Sequence, residues 1–239
     1  MIHPFFYSTS TQTHNVGPQG YVEKLGMERI CNALRAIVDQ DGRFKMHHSS
    51  HAYQNTLAAV GAANAIRPMP EFYLAGHSNA GMQGTIVFYH SLSARGQKLA
   101  TILLKHLASL SPGKEAGIRV QQHDSFYELN ATRMPAVLIE YEAHDWLTGV
   151  LFLVKAKPIA RAVYKAICEY VGVPYRKDLV GEVVVDPTII PLKKALAAYA
   201  TRNKIAFTAP SLTVPVMGPT AVALLEAVLA KLKPAGPVE

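Results

Sequence analysis

Short apolar runs alternate with longer segments whose apolar residues recur every three or four positions, from residue 4 to about residue 171. Continuous apolar runs are typical of buried strands, and a stripe of period 3.6 is typical of a helix that covers a sheet. The pattern predicts strands at 4–8, 44–47, 72–75, 85–89 and 136–139. It predicts helices at 27–41, 54–65, 93–110 and 157–171. We therefore expect an α/β fold, a mostly parallel twisted sheet with helices on both faces.

The pattern changes after Pro174. Residues 176–239 contain the proline-rich stretches VVVDPTIIP and APSLTVPVMGP and two segments rich in Ala, Leu and Lys near 191–201 and 219–233. This composition predicts a small C-terminal helical appendage at 176–239, attached to a larger domain at 1–175.

Composition and charge narrow the possible partners. The chain has 239 residues, 49% hydrophobic and 17% charged, which excludes a disordered chain. Its net charge of +7 favours an acidic partner. The excess is spread thinly, without a Lys/Arg run, so we expect no nucleic-acid partner. No apolar stretch reaches the roughly 18 residues of a membrane span, so we expect no membrane insertion.

The start of the chain bears on where the protein is made. MIHPFFYSTS has no basic segment followed by a long apolar run. Such a start does not match a secretory signal peptide. We expect a protein made in the cytoplasm without a signal peptide.

All ten histidines lie at or before His144, so chemistry is expected in the first domain. His14, His77 and Glu140 lie at or just past predicted strand ends, where parallel sheets gather their functional groups. Glu23 opens the first predicted helix. Imidazoles and carboxylates near one sheet edge are the ligands and proton acceptor of a zinc hydrolase. Spacing alone is a weak signal, because most chains of this size have such residues near strand ends.

Four blocks of sequence carry a stronger signal: STSTQTHN, YVEKLGMERI, FYLAGHSNA followed by GTIVFYHSLSARGQKLA, and SFYELNATRMPAVLIEYEAHD. In this order they resemble the zinc-dependent N-acetylmuramoyl-L-alanine amidase family of the Amidase_3 type. The resemblance covers residues 4 to about 173 and is strongest to the branch of phage endolysins and spore-forming bacteria. It implies a peptidoglycan hydrolase, a phage-type endolysin that uses Zn²⁺ to cut the amide between N-acetylmuramic acid and L-alanine.

The resemblance also assigns site residues. Glu23 and His77 match two zinc ligands of the family, and Glu140 matches its catalytic glutamate. The family's Gly-His-Gly-Gly after the first strand, which supplies a histidine ligand, is missing, and STSTQ stands in its place. His144, His14, or a non-protein or other ligand could take that place, and these alternatives stay open. Asn79 and Asp145 are predicted to bind substrate, although a plain loop-forming role fits them as well.

The same resemblance sets expectations for partners and location. Peptidoglycan of the bacterial cell wall is the expected partner, and the protein would act there after release by a separate route. The appendage at 176–239 is predicted to be either a wall-binding module or an oligomerisation element. Oligomeric state, host range, peptidoglycan chemotype and phage or bacterial origin stay open.

Two other functions fit the sequence. One is a non-catalytic wall-binding or regulatory protein on an amidase fold, which the missing Gly-His-Gly-Gly favours. The other is a zinc carboxypeptidase or amidohydrolase acting on small amides. The joint presence of Glu23, His77 and Glu140 favours the amidase over the first alternative.

Overall fold

The computed structural model describes residues 2–17, 20–48, 55–113 and 115–179. The strands are β1 (His3–Thr9), β2 (Phe44–His48), β3 (Tyr73–Asn79), β4 (Ile86–Tyr89), β5 (Arg119–Gln122) and β6 (Ala136–Ala143). The helices are α1 (Glu23–Asp41), α2 (Thr56–Ala65), α3 (Ala94–Leu107), α4 (Tyr127–Asn130), α5 (Leu147–Leu153) and α6 (Ala156–Val171). The predicted appendage lies outside the described residues from residue 180 onward.

The six strands form one sheet in the order β2-β1-β3-β6-β4-β5. All neighbouring strands are parallel except β4, which runs antiparallel to β6. Helix α6 packs between α1 and α3, while α2 packs with α4. The expected mostly parallel α/β fold is therefore confirmed. Within the described ranges, no helix is long and apolar enough to cross a membrane.

The structure differs from the sequence prediction at several element bounds. Strand β6 continues to Ala143 instead of ending at residue 139, because its last residues still pair with β3 and β4. Helix α3 ends at Leu107 and not at Leu110, although Ser93 caps it as predicted, by accepting a hydrogen bond from the Gly96 amide. Strand β5 was not predicted, because its sequence RVQQ is mostly polar and it lies at the sheet edge.

Strand register determines which side chains reach the candidate site. Along β3 and β6, the side chains that share a face with Ala75 and Leu138 belong to the apolar core that also includes Ala59 and Val60 of α2. His77 and Glu140 continue the same alternation and are direct partners across the two strands. The carboxyl-terminal parts of β3 and β6 thus bring an imidazole and a carboxylate side by side.

A close contact at the start of α1 holds this helix against the site. The buried ring of Tyr21 lies against Gly26, where a β-carbon would collide with the ring edge and the hydroxyl. The Tyr21 hydroxyl donates to Ser78 Oγ of β3 at 3.4 Å. Gly26 is thus the residue that lets Tyr21 connect α1 to β3.

We expect Gly26→Ala to destabilise the protein by about 1–3 kcal/mol, the usual cost of overpacking a buried contact. The matched control is Gly61→Ala in α2, where a β-carbon would meet nothing within 4 Å. Because alanine is the better helix former, that variant should be more stable by about 0.5–1 kcal/mol. Chemical denaturation of both variants measures the difference. Equal stability of the two variants would contradict the packing role of Gly26.

Candidate active site

The centre of the candidate site is the imidazole of His77, which lies between two buried carboxylates. Its Nδ1 is 3.0 Å from Glu23 Oε1, and its Nε2 is 3.2 Å from Glu128 Oε2. Glu23 is 1% exposed and Glu128 is 4% exposed. Three separate elements supply these side chains, because Glu23 begins α1, His77 belongs to β3 and Glu128 belongs to α4.

Both carboxylates are held by further polar groups. Glu128 accepts a hydrogen bond of 2.6 Å from the Tyr73 hydroxyl at its Oε1. Glu23 accepts one of 2.7 Å from Asn15 Nδ2 at its Oε2, and Asn15 Nδ2 also lies 2.5 Å from Gln12 Oε1. The loop after β1 therefore reaches Glu23 through two amide side chains.

The charges of this cluster are coupled. Burial alone would lower the pKa of His77, but the hydrogen bonds to Glu128 and Glu23 outweigh it and raise this pKa well above its ordinary value. Burial raises the pKa values of Glu23 and Glu128, yet His77 outweighs it and lowers both below the ordinary range. The structure therefore describes an imidazolium between two carboxylates.

Glu140 differs from these two carboxylates because one of its oxygens, Oε2, has no hydrogen-bond partner among the described residues. Its Oε2 is buried and unpaired, although the residue stands beside His77 in register. Burial raises the pKa of Glu140 to about 7. The charge of His77 opposes this rise, whereas the nearby carboxylates of Glu23 and Glu128 add to it. A carboxyl group that titrates near neutral pH can both accept and return a proton, as general acid–base catalysis requires.

The donor types around His77 fit a zinc ion. Glu23 Oε1 and His77 Nδ1 are a carboxylate and an imidazole atom close enough to share one metal. The other nitrogen, Nε2, faces a carboxylate, which is the usual partner of a metal-binding histidine. The carboxylates of Glu23 and Glu128 also outnumber the single imidazole between them, and a divalent cation would balance their negative charge. Glu23 and His77 would hold such an ion.

Within the described ranges, the structure places no third metal ligand beside Glu23 and His77. Among the described residues, no group of three His, Cys, Asp or Glu side chains is placed to hold a metal ion. His14 is exposed on the loop after β1, next to Asn15. His144 is 4% exposed, stacks on Tyr21, and donates from Nδ1 to the Ser78 carbonyl at 3.1 Å. The assignment of either histidine to zinc stays a prediction.

Asn79 and Asp145, the predicted substrate-binding residues, both hold the loop that follows β3. Asn79 Oδ1 accepts from the Ala80 amide at 2.7 Å, and Asp145 Oδ2 accepts from the Gly81 amide at 2.7 Å. Gly81 has a φ of +83°, a left-handed conformation that favours glycine. These contacts are those of loop-forming residues, and their role toward substrate stays a prediction.

Sequence reasoning missed Glu128, Asn15 and Tyr73. Glu128 stands in SFYELN, a stretch used for the family resemblance, but a single glutamate among apolar residues carries no signal of burial. Its position between Tyr127 and Leu129, shortly before the strand that contains Glu140, was the only available indication. Asn15 was hidden in a polar loop.

The comparisons with known proteins agree with this geometry. Residues 9–168 match the model of the Amidase_3 family, described as N-acetylmuramoyl-L-alanine amidase. No curated protein sequence matches the chain.

Solved structures show the same fold at low sequence identity. AmiC2 amidase of Nostoc punctiforme superposes with a TM-score of 0.62 at 17% identity, covering 71% of this chain and 97% of that one. The catalytic domain of the amidase CwlV from Bacillus (Paenibacillus) polymyxa gives 0.63 at 16% identity, covering 72% and 100%. The catalytic domain of the CD27L endolysin, which targets Clostridia difficile, gives 0.55 at 16% identity, covering 70% and 97%. The chain therefore belongs to the Amidase_3 family of N-acetylmuramoyl-L-alanine amidases.

Proposed function

We propose that this protein hydrolyses peptidoglycan at the amide between N-acetylmuramic acid and the L-alanine of the stem peptide. The observation that carries the proposal is the buried, unpaired Oε2 of Glu140 beside the His77 cluster. Membership of the amidase family supplies the substrate class. The basic net charge suits an anionic bacterial wall.

We infer that Zn²⁺ is the cofactor and that Glu23 Oε1 and His77 Nδ1 are two of its ligands. In this position the ion would acidify the attacking water and polarise the amide carbonyl. His14 and His144 are the candidates for the third ligand. His14 is one residue before Asn15, which already touches Glu23, whereas His144 would have to give up its contacts with Ser78 to reach the cluster.

Glu140 performs the proton transfers. Its ionised carboxylate accepts a proton from the attacking water as the oxygen bonds to the amide carbon. The protonated carboxyl then delivers this proton to the amide nitrogen as the C–N bond breaks, which frees the amino group of L-alanine. Because Oε2 has no hydrogen bond to lose, the carboxylate can turn to either partner at little cost.

A phage-type endolysin is the form of this activity that we propose. One of the similar structures is an endolysin catalytic domain, and the sequence blocks around His77 and Glu140 resemble that branch. We further propose that the protein acts on the wall after release from the cytoplasm, and that residues 176–239 bind the wall or mediate oligomerisation.

Glu140→Gln should leave the fold and zinc content intact and lower hydrolysis by at least about a hundredfold, because a general acid–base group contributes about 10²–10⁴ to the rate. The measurement is the release of new L-alanine amino termini from purified peptidoglycan. Glu115→Gln, on the exposed turn Glu115–Gly117, is the matched control and should keep its activity. Substantial hydrolysis by the Glu140 variant would refute the role of this residue. Inactivity of the wild type on walls that it binds would favour a non-catalytic wall-binding protein.

Because the pKa of Glu140 is raised, Glu140→Gln should change how the free energy of unfolding depends on pH. A carboxyl group with a raised folded-state pKa stabilises the fold most below the ordinary pKa of 4.5, and this contribution is lost as the pH rises to about 7. Without metal, Glu140→Gln should therefore gain about 2–3 kcal/mol relative to wild type between pH 5 and pH 8. Urea denaturation in the presence of a chelator measures this gain. A difference that is constant across this range would contradict the raised pKa.

Metal analysis tests the zinc ligands. Glu23→Ala and His77→Ala should each abolish stoichiometric zinc, because each removes one of few protein ligands. Of His14→Ala and His144→Ala, the variant that also loses zinc identifies the third ligand. Full zinc content in both would refute both candidates, and full zinc content in Glu23→Ala would refute the site itself.

A further inference from the structure

We propose that Glu128 is a positioning residue that sets the orientation of the His77 ring, so that His77 binds metal through Nδ1. This inference rests on the zinc-dependent function proposed above. It assigns to Glu128 a role that neither the family match nor the sequence pattern gave it.

The two ring nitrogens of His77 point toward different carboxylates. Nδ1 and Nε2 point out of different edges of an imidazole, and here one edge faces Glu23 and the other faces Glu128. A single ion bound by both Glu23 and His77 must lie at the Nδ1 edge. Glu128 is then left to accept a hydrogen bond from Nε2–H, because an ionised carboxylate can only accept.

The imidazole of His77 must be neutral to bind a metal. A neutral imidazole carries one proton, and the position of that proton decides which nitrogen has the free lone pair. An oxygen of residue 128 placed at Nε2 accepts the hydrogen bond from Nε2–H and leaves the lone pair of Nδ1 available for the metal.

Glu128 is itself held in place by several contacts. The Tyr73 hydroxyl fixes Oε1, and the Thr132 hydroxyl donates to the Glu128 carbonyl at 2.9 Å. Asn64 Nδ2 donates to the Ala131 carbonyl at 2.8 Å, which ties the end of α4 to α2. The adjacent Leu129 is buried in the apolar core. A carboxylate supported on all these sides can hold His77 in one orientation.

Two variants distinguish the effect of the length of the Glu128 side chain from the effect of its charge. Glu128→Gln keeps the length of the side chain and an oxygen that can accept from Nε2–H, but it removes the charge. Glu128→Asp keeps the charge but withdraws the carboxylate by one methylene. Glu142→Gln is the matched control, since Glu142 is a fully buried carboxylate of β6 that contacts the Gly84 amide and Ser111 instead of His77.

The experiment measures zinc affinity of the metal-free full chain by competition with a chelator. We expect Glu128→Asp to bind zinc about ten- to a hundredfold more weakly, the usual cost of losing such a partner. Glu128→Gln should retain most of the affinity, and Glu142→Gln should bind as the wild type does. ¹⁵N spectra of the His77 ring should show the proton on Nε2 in the zinc form of the wild type.

Other outcomes overturn the inference. Wild-type affinity in Glu128→Asp, an equal loss in Glu128→Gln, or an equal loss in Glu142→Gln would each show that Glu128 does not act through its contact with His77. A wild type that binds no zinc overturns this inference together with the proposed cofactor. Tight zinc binding with the expected loss in Glu128→Asp, but no release of L-alanine termini, supports the positioning role and refutes only the proposed reaction.

Discussion

The contact of His77 with Glu23 and Glu128 is the constraint on which the rest of the site depends. Buried charges are costly unless each is paired, so the two carboxylates and the imidazole must stay together. They come from α1, β3 and α4, and each of these elements has to be held in place for the cluster to exist. The packing of Tyr21 on Gly26 and the hydrogen bond of Tyr73 to Glu128 provide part of that support.

The topology of the sheet explains why Glu140 remains free of this pairing. Strands β3 and β6 are parallel and in register, so His77 and Glu140 stand side by side, and neither ring nitrogen of His77 is left to bind Glu140. Burial disfavours the ionised form of Glu140, and its Oε2 accepts no hydrogen bond from the described residues that would offset this effect, as the hydrogen bonds of Glu23 and Glu128 do. Its raised pKa follows from this position, and so does its suitability for proton transfer near neutral pH.

Features of the fold and the site could be predicted where neighbouring residues in the sequence indicate them. They could not be predicted where they depend on contacts between residues far apart in the chain. The apolar runs predict β1, β3 and β6, because strands buried on both faces have an unambiguous pattern. The motif residues Glu23, His77 and Glu140 could be found because they stand in family-specific blocks. Glu128 could not be found in this way, because it is buried by the packing of the four-residue helix α4. The sequence of this helix does not indicate that packing. The same holds for β5, whose polar sequence pairs only because β4 is present.

The loop after β1 reaches the candidate site through Asn15, and this contact decides which oxygen of Glu23 stays available. Asn15 donates to Glu23 Oε2, so this oxygen is engaged and Oε1 alone faces His77. If zinc binds as proposed, Glu23 would use Oε1 for the ion, because Asn15 occupies Oε2. The loop after β1 would then contribute to the site by orienting this carboxylate, whichever residue supplies the third ligand.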